Sequence, residues 1–283
     1  MNVLVYEHLS AGEMPDEPSL LREGAAMLEA VRFDLQALPQ IEVQLARSRA
    51  EIFQLAPHCQ AALIIAPEID DILGSIIAGL EAFPDCRLLG PDSATVRLTA
   101  DKHALAEHLS RAGVPTPPTT LLNGSVIKPR YGAGCQHTFL TYNDYILQPH
   151  IPGMAASVAF IDGKPLRGCM QTIVEIGGLL SYQGGWCPLD AALEMRAVTL
   201  AQAAIDSLPN RRGYLGVDLV LADRCDHDVV IEINPRLTTS YLGLQKLARN
   251  NLMAVLLGLD VSPLCWHSGR ITFSSDGILS RLE

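Results

Sequence analysis

Residues 213–236 read GYLGVDLVLADRCDHDVVIEINPR. Two apolar runs flank a polar turn, which is the pattern of a β-hairpin. Three polar residues break the pattern: Asp218 lies within the first run, Glu232 lies within the second, and Asn234 follows two residues later. Side chains alternate between the two faces of a strand, so Glu232 and Asn234 share one face. Antiparallel pairing predicts that Asp218 lies within one residue of their level, although the sequence does not fix the register.

Acids on one face of a sheet repel each other and resist burial. A bound cation would make them tolerable, and ligands that are all oxygen suit Mg²⁺, which also shares its coordination shell with nucleotide phosphates. Arg236 lies two residues beyond Asn234 and could bring a positive charge to the same phosphates. The alternative is a solvent-exposed sheet face that carries acids by chance. We favour the cation site because Asp218 and Glu232 each interrupt an apolar strand.

The composition limits the classes of function. The chain has 283 residues, is 48% hydrophobic and 18% charged, and carries a net charge of −10. This composition predicts a globular protein, and the negative charge disfavours nucleic acid and anionic membranes as partners, so a nucleotide site would have to be locally basic. No apolar run reaches the length of about 18 residues that a membrane span needs, and the N-terminus lacks the features of a signal peptide. Seven scattered cysteines without a CxxC pair suggest a reducing cytoplasm.

The first ninety residues alternate short apolar runs with amphipathic segments, which predicts an open α/β sheet without a GxGxxG dinucleotide motif. Ligands of such sheets bind at the carboxyl ends of the strands. The loop after the first strand, with Glu7, His8, Ser10 and Gly12, therefore lies either beside a site or simply on the surface. Residues 238–241 leave a similar choice between binding a small polar substrate and capping a helix.

Two lysines occupy positions where phosphate binding is worth considering. Lys102 lies in a helix predicted over residues 93–112, where a lone lysine is usually solvent-exposed. Lys128 ends an apolar strand and is followed by Gly132 and Gly134, whose backbone N–H groups could close over phosphates. The GxxxxGK[ST] pattern is absent, so this is not a Walker loop.

The segments GVDLVL and VVIEINPR resemble the metal-binding hairpin of the ATP-grasp superfamily. The resemblance implies that Asp218, Glu232 and Asn234 are ligands of Mg²⁺, or of Mn²⁺, which is bound together with ATP. It also implies that Arg236 is catalytic and stabilises the transferring phosphoryl group or the tetrahedral intermediate.

Both lysines match further elements of that superfamily. Lys102 follows an aspartate at the start of a helix that leads to the stop GVPTP, and Lys128 ends a strand before a glycine lid. The resemblance implies that Lys102, Lys128, Gly132 and Gly134 bind the phosphates of ATP.

The segment YILQPHI resembles the linker between the two ATP-grasp lobes. The resemblance implies that the carbonyl of Pro149 and the N–H of Ile151 bind adenine, with Gln148 beside the ring. The superfamily often places an acid just after this linker to hold the ribose. This chain lacks it, and Asp162 and Glu175 are candidate substitutes.

The resemblance also implies the fold class. It is α/β, with an N-terminal open α/β (pre-ATP-grasp) domain at residues 1–95, followed by the two-lobed α+β ATP-grasp fold. The small lobe would comprise residues 96–150, and the large lobe, with the metal-binding hairpin, residues 151–283.

The implied function is an ADP-forming carboxylate–amine ligase that works through an acyl phosphate. The segments EHLSAG, PSLLREGAAML and INPRLTTSYLGL resemble the tyramine–glutamate ligase type of methanofuran-like C1-carrier biosynthesis, which implies glutamate and a tyramine- or tyrosine-like amine as substrates. The expected partners are thus a small-molecule carboxylate and an amine, with no nucleic acid and no membrane, and assembly into a homo-oligomer is left open. Two alternatives remain: a bicarbonate-dependent carboxylase of the same fold, and a non-catalytic ATP-binding sensor, which the missing ribose acid slightly favours.

Overall fold

A parallel four-stranded sheet forms the first part of the chain in the computed structural model, which describes residues 1–13, 18–131, 135 and 138–282. Its elements are the strands β1 (Asn2–Glu7), β2 (Glu42–Leu45), β3 (Ala61–Ile65) and β4 (Arg87–Leu88) and the helices α1 (Pro18–Gln36), α2 (Arg49–Leu55) and α3 (Ile72–Leu80). The strand order is β2-β1-β3-β4. The apolar runs of β1 and β3 are buried, as in a parallel sheet covered on both faces. Because β1 and β3 connect onward in opposite directions, a crevice opens at their carboxyl ends.

Helix α2 was not predicted from the sequence. It is only seven residues long, and Ser48 begins it by accepting a hydrogen bond from the N–H of Glu51 at 3.2 Å. Such a short segment carries too little hydrophobic periodicity to stand out from a loop.

The single helix predicted over residues 93–112 is wrong, because it is two helices, α4 (Ser93–Ala100) and α5 (Lys102–Arg111). Asp101 leaves the helical conformation at φ −83° and ψ 99°. Its carboxylate accepts the N–H groups of His103 and Ala104, each at 3.0 Å, and so caps α5. The break makes Lys102 the first residue of a helix.

A small antiparallel sheet of two strands follows, β5 (Thr120–Ile127) and β6 (Phe139–Leu147). Many of its apolar side chains are exposed, among them Val126 and Leu147. The sheet therefore lies apart from the main core, and residues 148–153 connect it to the next sheet.

The rest of the described chain is built on a seven-stranded antiparallel sheet with the order β11-β10-β7-β8-β9-β12-β13. Its strands are β7 (Met154–Ile161), β8 (Lys164–Ile176), β9 (Leu179–Cys187), β10 (Tyr214–Leu221), β11 (Val229–Asn234), β12 (Arg270–Ser274) and β13 (Leu279–Leu282). Three helices accompany it: α6 (Ala191–Ser207), α7 (Ser240–Leu247) and α8 (Leu252–Leu256).

The first and third sheets share one hydrophobic core. Val3 and Val5 of β1 belong to the same buried cluster as Tyr214 of β10 and Tyr241 of α7. The hydroxyl of Tyr241 also donates a buried hydrogen bond to Asp34 of α1. This shared core fixes the crevice of the first sheet next to the hairpin β10–β11.

Each of the three predicted regions contains one sheet. The predicted boundary after residue 95 falls inside α4, and the one after residue 150 falls in the connection between β6 and β7. No helix in the described part of the chain is both long and apolar enough to cross a membrane.

Candidate active site

The hairpin β10–β11 brings the predicted metal ligands together. Asp218 lies directly opposite Glu232, and Gly216 lies opposite Asn234. The register shifts just after Asp218, where β10 and β11 form a bulge. Val217 on the other face is buried in a cluster with α6, so the acids face away from that core.

Asp218 is held by two amide groups. Its Oδ1 accepts a hydrogen bond from Nε2 of Gln171 at 2.8 Å, and its Oδ2 accepts one from Nδ2 of Asn234 at 3.0 Å. Burial, and next the charge of Glu232, raise the pKa of Asp218 to about 7. The two hydrogen bonds therefore do not offset the cost of ionising this buried carboxylate beside Glu232.

Glu232 has a cation beside it. The Nζ atom of Lys102 donates to its Oε2 across the gap between α5 and β11. Burial works against ionisation of Glu232, but the Lys102 ammonium, together with Asp218 and Arg236, lowers the pKa of Glu232. Lys102, predicted to bind phosphate, and Glu232, predicted to bind metal, are thus direct partners in this structure.

This donor set fits a hard divalent cation. Asp218 and Glu232 offer carboxylate oxygens from adjacent strands, and the raised pKa of Asp218 shows that a further positive charge would be favourable. No group of three His, Cys, Asp or Glu side chains suited to a metal occurs within the described residues, so the site rests on two carboxylates and one amide. Asn234 turns its nitrogen, not its oxygen, towards Asp218 here.

Arg236 lies just beyond β11 and is tied to the first sheet. Its Nε donates to Oε1 of Glu68 at 3.0 Å, and its Nη2 donates to Oε2 of the same residue at 3.3 Å. Its Nη1 donates to the carbonyl of Leu237 at 3.2 Å. Burial disfavours the guanidinium charge, but the acids around it, Glu68 first and then Glu23 and Glu232, together raise the pKa of Arg236.

The side chains of residues 238–241 make hydrogen bonds within the protein. Thr239 donates to the carboxylate of Glu23 on α1, and Thr238 and Ser240 share a hydrogen bond at 2.9 Å. Tyr241 is fully buried against Asp34 and belongs to the core. The side chain of Thr239, the residue before α7, is buried and makes no capping hydrogen bond to that helix.

The predicted phosphate lid lies only partly within the described residues. Lys128 follows β5, is exposed, and makes no hydrogen bond or ion pair with any described residue. Gly132 and Gly134 lie outside the described residues.

The predicted adenine linker lies between the small sheet and the large sheet. Gln148 donates its Nε2 to Oγ1 of Thr119 at 2.9 Å. Among the described residues, neither the Pro149 carbonyl nor the Ile151 N–H makes a hydrogen bond. Both groups can therefore take a ligand.

Both candidate substitutes for the ribose acid have hydrogen-bond partners within the protein. Asp162 occupies the turn between β7 and β8 and accepts the N–H of Gly213 at 2.7 Å. Glu175 accepts the N–H of Gly178 at the turn between β8 and β9. Each carboxylate stabilises a turn, so the structure gives neither a ribose role.

The loop after β1 uses its polar residues internally. The buried carboxylate of Glu7 accepts the N–H groups of Leu9 at 3.1 Å and Ser10 at 2.6 Å. The hydroxyl of Tyr6 and Nδ1 of His8 share a hydrogen bond at 2.9 Å, and burial lowers the pKa of His8. Glu7 and His8 therefore hold the conformation of this loop.

Comparison with known proteins decides the family. A family model described as an ATP-grasp domain matches residues 99–240, which include both lysines and the hairpin. The chain belongs to the ATP-grasp family. The predicted ATP-grasp fold is confirmed by a crystal structure described as an ATP-grasp superfamily protein from Archaeoglobus fulgidus. The two structures match with a TM-score of 0.72 and 26% sequence identity, over 97% of this chain and 92% of that one.

Other ATP-grasp proteins are more distant or are matched in part. The chain is 32% identical over 187 residues to a tyramine–L-glutamate ligase of Methanocaldococcus fervens. The matched stretch is 65% of this chain and 61% of that protein. The chain thus spans about three fifths of the length of that relative. The D-alanine–D-alanine ligase of Bacillus anthracis in complex with ATP has a TM-score of 0.57 at 17% identity, over 83% of this chain and 86% of that one, and shows the shared ATP-grasp fold alone.

Three residues that contact the predicted site residues or the segment after them were not predicted from the sequence. Gln171 of β8 donates a hydrogen bond to Asp218. Glu68, which follows β3, accepts from Arg236, and Glu23 of α1 accepts from Thr239. For Glu68 the available signal was its place just after a buried strand of an open α/β sheet, where ligands bind. No local pattern marks Gln171 or Glu23.

Proposed function

We propose that this protein is an ATP-dependent, ADP-forming ligase that joins a carboxylate to an amine. The observation that carries the proposal is the pair of carboxylates, Asp218 and Glu232, facing each other across a hairpin, with Lys102 and Arg236 beside them. Membership of the ATP-grasp family supports ATP as the nucleotide.

In the first step a substrate carboxylate oxygen attacks the γ-phosphorus of ATP. The bond from that phosphorus to the bridging oxygen breaks, ADP leaves, and an acyl phosphate forms. Asp218, Glu232 and Asn234 would hold Mg²⁺, which when bound neutralises charge on the phosphates. Lys102 and Lys128 add positive charge, because phosphoryl transfer depends on positioning and on charge stabilisation.

In the second step the neutral amine attacks the acyl carbon. The carbon–oxygen bond to phosphate breaks, inorganic phosphate leaves, and the amine proton passes to water. Arg236 is the residue proposed to bind the acyl phosphate and the oxyanion that develops on the carbonyl oxygen.

Adenine is proposed to bind in the connection between the small and large sheets. The carbonyl of Pro149 and the N–H of Ile151 supply one acceptor and one donor, and Gln148 lies beside them. Their support is that neither backbone group makes a hydrogen bond among the described residues.

The proposed substrates are glutamate, as the carboxylate, and tyramine or a similar phenolic amine. The support is the similarity to two tyramine–L-glutamate ligases of Methanocaldococcus, at 32% and 30% identity over 187 residues. The carboxylate of Glu23, which lies beside Thr239, also suits a substrate that carries an ammonium group.

The test is a product assay with Mg²⁺–ATP, glutamate and a panel of amines that includes tyramine. We expect ADP, phosphate and an amide in equal amounts, with all three depending on both substrates. Asp218→Ala and Glu232→Ala should abolish ADP formation and keep the fold, whereas Asp226→Ala, in the exposed turn of the same hairpin, should behave as wild type.

Other outcomes would contradict the proposal. ADP formation that depends on bicarbonate and not on an amine would indicate a carboxylase. ATP binding without any turnover across the panel would indicate a sensor.

A further inference from the structure

Arg236 is held at three of its five N–H groups. Glu68 accepts from Nε and from Nη2 in the side-on bidentate arrangement, and the carbonyl of Leu237 accepts from Nη1. One N–H on each terminal nitrogen is left over among the described contacts. Donors on the two terminal nitrogens of an arginine can bind a phosphoryl group or a carboxylate.

Glu68 reaches Arg236 from a different part of the fold. The two residues are 168 positions apart in the chain, and Glu68 follows β3 at the crevice where β1 and β3 diverge. It is thus the first sheet, not the hairpin itself, that fixes the orientation of the guanidinium group.

The pair is strong enough to set that orientation. The side chains of Arg236 and Glu68 are only 22% and 21% exposed, and two hydrogen bonds join the guanidinium group to the carboxylate. An arginine side chain has four rotatable bonds, and without a partner its terminal nitrogens would sample many positions. A partly buried carboxylate that engages two of its nitrogens removes most of that freedom.

We propose that Glu68 is a positioning residue for amide formation. It holds the Arg236 guanidinium so that the two remaining N–H groups face the acyl phosphate and the oxyanion of the second step. This inference rests on the proposed ligase function. It adds a residue of the first sheet that does not touch the reacting atoms and still controls how the acyl phosphate is used.

The role predicts a specific defect. When Arg236 is misplaced, the acyl phosphate still forms, since Asp218, Glu232 and the lysines are untouched. It is then less well bound while the amine attacks, and water competes for it. The ratio of ADP to amide should therefore rise above one, a change that a general loss of stability would not produce.

The variants Glu68→Gln and Glu68→Asp separate charge from geometry. Glutamine keeps the size of the side chain but loses the charge and one of the two acceptor oxygens, whereas aspartate keeps the carboxylate on a shorter stem. The matched control is Glu81→Gln. Glu81 also belongs to the first part of the chain and also accepts two hydrogen bonds from a later residue, Ser93, but it is not a hydrogen-bond partner of Arg236.

The experiment measures kcat, the KM for ATP and the ADP-to-amide ratio on the full chain with the substrate pair that gives amide. Glu68→Gln should lower kcat for amide by about 10- to 100-fold, raise the ratio above one and leave the KM for ATP within about threefold, as expected for a residue that orients a binding group. Glu68→Asp should recover part of the loss, and Glu81→Gln should match wild type in kcat and ratio.

Two results would overturn the inference in different ways. If wild type makes amide and Glu68→Gln makes it at the same rate with a ratio of one, or if Glu81→Gln shows the same loss, Glu68 has no positioning role and the ligase proposal stands. If wild type makes no amide with any amine, the ligase proposal fails and the role of Glu68 fails with it.

Discussion

Replacing Asp218 by asparagine should stabilise the ligand-free protein and remove its metal–nucleotide binding. Asp218 is buried opposite a second carboxylate, Glu232, and its raised pKa shows that the folded protein disfavours its charge. Asparagine has nearly the same shape and can still accept a hydrogen bond from Gln171. The substitution therefore removes an electrostatic penalty that only a bound cation would otherwise relieve.

The size of the effect follows from the pKa of Asp218. Folding raises it from 3.8 to about 7. A pKa difference of about 3 units corresponds to a loss of about 4 kcal/mol in the free energy of unfolding above pH 7. Because solvent still reaches part of the side chain, we expect Asp218→Asn to recover about 1–3 kcal/mol. An acid with a raised folded-state pKa is penalised only where the unfolded chain is ionised. The gain in free energy of unfolding should thus be largest above pH 7 and should vanish as the pH falls towards 4.

The assay is urea unfolding of wild type and Asp218→Asn at pH 8 and pH 4.5, with and without Mg²⁺ and a non-hydrolysable ATP analogue. The control is Asp226→Asn, because Asp226 lies in the turn of the same hairpin and its pKa is lowered by Arg224, so its removal should not stabilise the protein. The analogue with Mg²⁺ should stabilise wild type but not Asp218→Asn. If Asp218→Asn is no more stable than wild type at pH 8, or gains equally at both pH values, the reasoning is refuted.

Three further substitutions test other parts of the structure. Gly213→Ala should destabilise the protein by about 2 kcal/mol more than Gly113→Ala in urea unfolding. Both glycines have φ +73°, but of the two only Gly213 has backbone atoms 2.4 Å from the position of an added Cβ. Equal losses of stability would contradict this close approach of the backbone. Tyr241→Phe should lower the free energy of unfolding by about 1–3 kcal/mol, since it leaves the buried carboxylate of Asp34 without its hydroxyl donor; an unchanged midpoint would mean that water replaces that donor. Lys102→Met should weaken ATP binding in calorimetry by about tenfold or more. The thermal midpoint should fall only modestly, because the Lys102 side chain is 55% exposed and water screens its ion pair with Glu232. A large fall in the midpoint with normal ATP affinity would make Lys102 structural.

The sequence was sufficient for the hairpin because its signal is local. The acids Asp218 and Glu232 interrupt apolar strands around one turn, and alternation alone puts Glu232 and Asn234 on one face. Alternation does not reveal the bulge after Asp218, which shifts the register by one residue. Sequence also could not show that Gln171 supports Asp218, because β8 is separated from β10 by β7 and strand order has no local signature.

Contacts between segments that are distant in the sequence could not be predicted from local sequence patterns. Glu68 and Arg236 meet because the first and third sheets share a core, and Lys102 reaches Glu232 only because Asp101 ends one helix and caps the next. Helix-forming residues on both sides of Asp101 concealed that break.

The account depends most on the claim that Asp218 and Glu232 hold the cation that accompanies ATP. The direct measurement is a crystal structure with Mn²⁺ and a non-hydrolysable ATP analogue, in which anomalous scattering locates the metal. We predict an anomalous peak about 2.1 Å from a carboxylate oxygen of each acid, the analogue's phosphates in contact with that metal, and Lys102 released from Glu232 towards the phosphates. An anomalous peak elsewhere, with the ion pair between Lys102 and Glu232 intact, would contradict the claim.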